Sequence, residues 1–148
     1  QGLVIAAYWP FRQEPDIRDL LDELYAMGHE IVLPKIVEKN AALQFFYWDP
    51  GAPLVPGHFG ILEPEAKEIA NTPDIVLLPM LGYGEQGERL GYGGGYYDRT
   101  IAAWEAQEQS PILLGAVWSD ARLPGDYEAL AHDKLLDGIV TERELRFF

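Results

Sequence analysis

Apolar positions along the chain fall into two patterns. Short continuous runs occur in "LVIAAY" (3–8), "DIVLLPML" (74–81) and "PILLGAVW" (111–118). A run with no polar side to give to solvent predicts a strand covered on both faces. "EIVLPKIV" (30–37), "LQFFYW" (43–48) and "DGIVTE" (137–142) predict three further strands. After the first strand the period changes. In "IRDLLDELYAMG", Ile17, Leu20, Leu21, Leu24 and Met27 fall on one helical face, with Asp16 placed to cap the start and Gly28 to stop the helix. "DRTIAAWEAQ" (98–107) predicts a second helix and residues 64–71 a short third one, while the proline- and glycine-bearing stretch from Leu54 to Pro64 predicts loop. Strands alternating with helices predict α/β layers. The expectation is one domain over residues 1–148, a three-layer Rossmann-like sandwich around a mostly parallel central sheet.

Composition narrows the function. The 148 residues are 48% hydrophobic and 24% charged, enough apolar material for a core. The formal net charge is -13. That argues against sequence-independent binding of nucleic acid and against docking on anionic membranes, both of which need clustered Lys and Arg. The chain has no cysteine, which excludes disulfides, thiolate catalysis and cysteine metal sites. No apolar run approaches the ~20 residues of a membrane span, and no secretory signal is visible, so a cytoplasmic protein is expected.

The chemistry concentrates in "ERLGYGGGYYDR" (88–99). Gly82, Gly84 and Gly87 match G-x-G-x-x-G, but the dinucleotide fingerprint needs its third glycine to open a helix, and four more glycines follow closely. No Gly-Lys pair occurs near residue 90, so the phosphate-loop pattern fails as well. What remains is uncovered backbone. Gly91, Gly93, Gly94 and Gly95 can adopt positive φ and turn successive amides toward an anion. The helix behind them presents its positive end. Arg89 and Arg99 flank the loop, Tyr92, Tyr96 and Tyr97 can stack or donate hydroxyls, and Asp98 can ligate Mg²⁺ or cap the helix. The alternative is a tight crossover in which glycine relieves crowding and the tyrosines fill core. The residues alone point to a phosphate-bearing ligand at the carboxyl end of strand 74–81.

The stretch "PMLGYGEQGERLGYGGGYYDR" (79–99) resembles the signature of the 5-formyltetrahydrofolate cyclo-ligase family, the 5,10-methenyltetrahydrofolate synthetases. "AYWPFRQEPD", "VLPKI", "WDPGAPL", "FGILEP" and "HDKLLDGIVTE" agree with that family in order. The resemblance implies ATP- and Mg²⁺-dependent closure of 5-formyltetrahydrofolate to 5,10-methenyltetrahydrofolate, with release of ADP and phosphate. It implies an ATP loop of Arg89, Leu90, Gly91, Tyr92, Gly93, Gly94, Gly95, Tyr96 and Tyr97, with catalytic roles for Arg89 and Tyr97. Tyr92, Gly93, Gly94, Gly95 and Tyr96 would also face the folate. Phe11 and Glu14 would line the pterin pocket, Phe59 would stack near the rings, and Asp98 and Asp133 would hold Mg²⁺. His29, His58 and His132 are read as structural. The implied partners are small-molecule substrates, and the implied state is a monomer.

Departures from the family pattern stand at Gly84 (usually Asp), Ile17 (often Thr) and Ala121 (near an expected Gln). Family members also begin with a helical segment whose Lys and Arg reach the ATP phosphates. The 148 residues are expected to be the domain without that segment. The departures keep open a relative that binds a nucleotide or pterin without turning it over.

Overall fold

A computed structural model describes residues 2–65, 68, 70, 72–91, 95–124 and 134–148. In chain order its strands are β1 (Val4–Ala6), β2 (Glu30–Lys35), β3 (Gln44–Trp48), β4 (Leu54–Pro56), β5 (Leu62–Pro64), β6 (Ile75–Pro79), β7 (Gly82–Tyr83), β8 (Arg89–Leu90), β9 (Ile112–Ala116), β10 (Gly138–Val140) and β11 (Leu145–Phe147). Its helices are α1 (Arg18–Ala26) and α2 (Tyr96–Ala106). Seven strands form one sheet in the order β11-β10-β9-β6-β1-β2-β3. The inner five are parallel, and the edge strands β3 and β11 run antiparallel to their neighbours. The α/β class and the mostly parallel sheet are as the apolar runs predict.

Side chains alternate across a strand, so each continuous run feeds two cores. Ile5, Ile31, Leu33, Leu77 and Leu114 pack with Ile17 and Leu21 of the α1 side. Their neighbours Ala6, Val32, Val76, Leu78 and Leu113 pack with Ile101 and Trp104 of α2 on the opposite face. Two carboxylates hold the strand starts in register. Asp74 Oδ2 accepts the Val4 N–H at 2.8 Å, and Asp137 Oδ2 accepts the Leu113 N–H at 2.8 Å.

The crossover through α1 carries the chain from β1 outward to β2, and the crossover through α2 carries it from β6 outward the other way to β9. The strand order therefore reverses between β1 and β6. In open α/β sheets the crevice at the carboxyl ends of such a strand pair is where ligands bind. Here it lies between the loop after Ala6 and the loop after Pro79.

Several local expectations change. Asp16 is not the N-cap of α1. Ile17 occupies that position, while the Asp16 carboxylate accepts the Arg18 N–H at 3.0 Å and pairs with its guanidinium at 2.6 Å. The stretch from Leu54 to Pro64 is not plain loop: β4 and β5 form a hairpin around a single 3₁₀ turn, His58–Gly60. Prolines at its ends masked it, since edge hairpins tolerate them. Pro64 belongs to β5, and 66, 67, 69 and 71 of the expected short helix lie outside the described residues. The second helix begins at Tyr96, two residues early, because Gly95 takes φ +72° and turns the chain directly into it. The terminal strand β11 was not expected.

Gly82, Gly84 and Gly87 open no helix. They belong to a hairpin in which β7 pairs antiparallel with β8. Gly87 sits at φ +96°, and a Cβ there would lie 2.5 Å from the Leu136 carbonyl oxygen. Gly87→Ala is expected to cost about 2 kcal/mol or more, since the strain and a backbone clash coincide. Leu21, fully buried at 0% exposure, is the anchor of α1, and Leu21→Ala is expected to cost about 2–5 kcal/mol. Urea unfolding of each variant checks both values. A Gly87→Ala change within 0.5 kcal/mol of the parent would show that the hairpin does not depend on this backbone contact.

Candidate functional site

The loop after β6 returns through the β7–β8 hairpin to the first turn of α2. Gly95 is the N-cap of α2 and supplies no side chain, so no side-chain hydrogen bond caps the helix. The first amides of a helix have no partner within it and are groups that can receive an anion. Two cations stand here. Arg99 folds back so that a Cβ on Gly95 would lie 2.9 Å from its Nη1, and its guanidinium stacks on the Tyr96 ring at 4.9 Å. Arg89 is buried, with its side chain 6% exposed; its Nε donates to the Lys134 carbonyl at 3.2 Å and its other end pairs with Asp98.

Asp98 therefore stands in the first turn of α2, and its Oδ1 neutralises Arg89. The carboxylate is half-exposed at 43%. Mg²⁺ is commonly bound by one or two carboxylates together with substrate phosphates, and a half-exposed carboxylate at a phosphate-favouring helix end fits that role. Among the described residues no three His, Cys, Asp or Glu side chains gather into a closed cage. Tyr96 is held from the far side, where its hydroxyl accepts the Asn40 N–H at 3.4 Å. Tyr97 packs against the core of the α2 face, so its ring is partly committed to structure. Leu90 is exposed and Gly91 half-buried beside the helix start. Tyr92, Gly93, Gly94 and Asp133 lie outside the described residues.

Across the crevice, the loop after β1 brings Phe11 and Glu14 together. The Phe11 N–H donates to Glu14 Oε1 at 2.8 Å, and the Glu14 N–H donates to the Phe11 carbonyl at 3.2 Å. Arg12, at φ +57°, lies between them with its guanidinium 4.8 Å over the Phe11 ring. Tyr8 ties the loop base by donating to the Pro15 carbonyl at 2.8 Å. Phe59 is 69% exposed on the 3₁₀ turn, at φ +60°. Its ring neighbours His58 rather than Phe11, so the three proposed pterin contacts come from two separate loops.

Sequence reasoning missed several residues that shape the site. Glu63 is buried at 8% exposure; it accepts the Ile36 N–H at 3.1 Å and packs on Gly57, where a Cβ would lie 2.0 Å from its carboxyl carbon. It joins the Phe59 turn to the end of β2. At Gly84 a Cβ would lie 2.4 Å from Glu88 Oε1, and that oxygen accepts the Gln86 N–H at 2.8 Å. Glu88 thus fills the space beside Gly84 and holds the turn. Ile17 is buried at 6% in the α1 core, a use that a threonine hydroxyl would not serve. Ala121 packs partly against the α2-side core while its carbonyl accepts the Tyr83 N–H at 3.1 Å. Ser119 donates its N–H and hydroxyl to Glu142 at 2.7 and 2.8 Å, and these bonds hold the Glu142 carboxyl below the usual range. The only sequence signal for these contacts is a Glu or Ser near a strand end, which is too common to single them out.

Known proteins resemble this chain along most of its length. The model of the 5-formyltetrahydrofolate cyclo-ligase family matches residues 1–142. The 5-formyltetrahydrofolate cyclo-ligase of Mycolicibacterium smegmatis is 33% identical over 96% of this chain and 75% of its own length. That of Escherichia coli K12 is 31% identical over 73% of this chain and 62% of its own length. The chain thus matches about three fifths to three quarters of these relatives. The solved structure of Aquifex aeolicus 5,10-methenyltetrahydrofolate synthetase superposes with a TM-score of 0.75 at 31% identity, covering 99% of this chain and 72% of that one. A family match running from Gln1 to Glu142, with a relative 33% identical over 96% of the chain and the same fold in a solved structure, places this chain in the 5-formyltetrahydrofolate cyclo-ligase family of enzymes.

Proposed function

We propose that the chain carries out the cyclisation of 5-formyltetrahydrofolate to 5,10-methenyltetrahydrofolate, consuming ATP with Mg²⁺ and releasing ADP and phosphate. The observation that carries the reading is the uncapped N-terminus of α2, with the Arg99 guanidinium folded onto Gly95, at the switch point and opposite the Phe11–Glu14 turn. One side of the crevice suits phosphate, and the other suits a ring system with N–H donors.

In this reading the formyl oxygen on N5 attacks the γ-phosphorus of ATP and ADP departs. The resulting phosphorylated imidate is attacked at the formyl carbon by N10, and phosphate leaves as the five-membered ring closes. No protein nucleophile is required, which suits a chain without cysteine. The protein's tasks are positioning and neutralising charge. The amides of Gly95 and the first turn of α2 receive phosphate oxygens. Arg99 offsets charge building between the β- and γ-phosphates. Arg89 braces the loop and orients Asp98. Glu14 accepts hydrogen bonds from the pterin, and Phe11 with Phe59 covers its faces. Asp98, with Asp133, would hold Mg²⁺, which when bound neutralises phosphate charge and aligns the leaving group.

A turnover assay with 5-formyltetrahydrofolate and Mg-ATP, followed by the near-ultraviolet absorbance of the methenyl product, tests the reading. Product growth that needs both ATP and Mg²⁺ is expected. No product from the full-length protein, with ATP binding intact, would reject it in favour of a binding relative. Asp98→Asn is expected to weaken Mg-ATP binding by about tenfold or more, read by calorimetry, because an amide replaces the anionic ligand. Equal affinity in the variant would remove Asp98 from the metal site.

A further inference from the structure

Glu14 can read a pterin only if its loop holds one conformation, and that loop, the eleven residues 7–17, has two prolines and a left-handed Arg12. Its internal bonds, Phe11 to Glu14 and Tyr8 to Pro15, are local. They shape the turn but do not anchor it over the crevice. Among the described residues an anchor comes from a part of the chain 105 residues away: the indole Nε1–H of Trp118 donates to the Gln13 carbonyl at 2.8 Å. That carbonyl belongs to the peptide joining Gln13 to Glu14. Holding its oxygen sets the plane of the peptide, and with it the direction of the Glu14 N–H, which donates back to Phe11.

Trp118 is placed by its own fastenings. It follows β9, whose neighbour toward β1 is β6, so the indole bridges the end of β6 across the switch point. The next residue, Ser119, is held at three atoms. Its N–H and Oγ–H donate to Glu142 after β10, at 2.7 and 2.8 Å, and its carbonyl accepts the Tyr83 hydroxyl from β7 at 2.7 Å. One short segment thus links the loop carrying Glu14, the hairpin that leads to the glycine loop, and the end of β10. The indole is 42% exposed, so the bond does not arise from burying the ring.

We propose that Trp118 is a positioning residue for the folate: through the Gln13 carbonyl it holds Glu14 in the pose that receives the pterin, with Ser119 and Glu142 holding Trp118. The proposal rests on Glu14 being the pterin contact. Trp118 touches no reacting atom, and tryptophan is required because phenylalanine has the apolar ring without the donor.

The test is steady-state kinetics of Trp118→Phe beside Glu14→Gln, with amide hydrogen exchange on both. Trp118→Phe is expected to raise the KM for 5-formyltetrahydrofolate about fivefold, the worth of one ordinary hydrogen bond, with the KM for ATP unchanged. Exchange at the Glu14 and Phe11 amides is expected to quicken while β1 and β6 stay protected. If Glu14→Gln leaves the folate KM unchanged, Glu14 is not the pterin contact and the proposal falls with that reading. If Glu14→Gln raises it and Trp118→Phe does not, the Glu14 reading stands and the positioning role of Trp118 is refuted. A loss of thermal stability in Trp118→Phe without a change in folate KM is likewise a refutation, since it leaves only a structural bond. Should Trp118→Phe fold poorly, Ser119→Ala removes one of the two Glu142 bonds with the indole intact. It is expected to raise the folate KM about twofold, and an unchanged KM counts against the proposal.

Discussion

Arg89 carries a full positive charge on a side chain only 6% exposed. An ion so placed is tolerated only when paired and hydrogen-bonded, and breaking such a pair costs several kcal/mol. Among the described residues, partners come from two separate segments. Asp98 stands in the first turn of α2, and the Lys134 carbonyl stands just before β10. Arg89 itself is in β8, so one guanidinium joins the hairpin, the helix and the approach to the last parallel strand. Arg89 thus ties the strand before the glycine-rich segment to the helix after it. The pair also fixes where the Asp98 carboxylate stands, which is the group proposed as a Mg²⁺ ligand.

The parts legible in the sequence were those governed by local rules. Continuous apolar runs gave β1, β2, β6, β9 and β10, because a strand sandwiched between two helical layers has no polar face to show. The Leu20–Leu21–Leu24 face gave α1. The β4–β5 hairpin escaped because its strands end in Pro56 and Pro64 and are only three residues long. The start of α2 was misplaced because Asp98 is a good cap by type, while the chain uses the left-handed turn at Gly95 and employs Asp98 against Arg89. Gly87 was read as part of a failed nucleotide motif. Its actual demand, a positive φ against the Leu136 backbone, depends on a segment 49 residues away in sequence.

The site divides in the same way. Arg89, Gly95, Tyr96 and Asp98 lie in one stretch of chain and were visible as a cluster. Phe11 and Glu14 were reached through the family resemblance, and the structure brings these two together in one turn. Phe59 sits on a different turn, braced by Glu63, a carboxylate no local pattern selects. The departures at Gly84 and Ile17 look like losses when read position by position. In three dimensions Glu88 occupies the space above Gly84, and Ile17 is core. Which side chain fills the space beside such a position is decided by the fold, and sequence spacing carries no record of it.

One tension runs through the functional reading: a chain with net charge -13 is asked to take polyanionic substrates. The resolution is one of distance. At physiological salt, exposed charges more than about 8–10 Å apart are largely screened, whereas contacts in a crevice are not. The acidic residues of α1, Asp19, Asp22 and Glu23, are exposed, so solvent and salt screen them well. Arg99 instead stands at contact range of the start of α2, and Arg89, offset by Asp98, braces the strand that leads to it. The global field slows the approach of an anion, while the local site decides whether it stays. An acidic surface and a phosphate-binding crevice are therefore compatible in one small domain, provided the cations are few, close and already oriented.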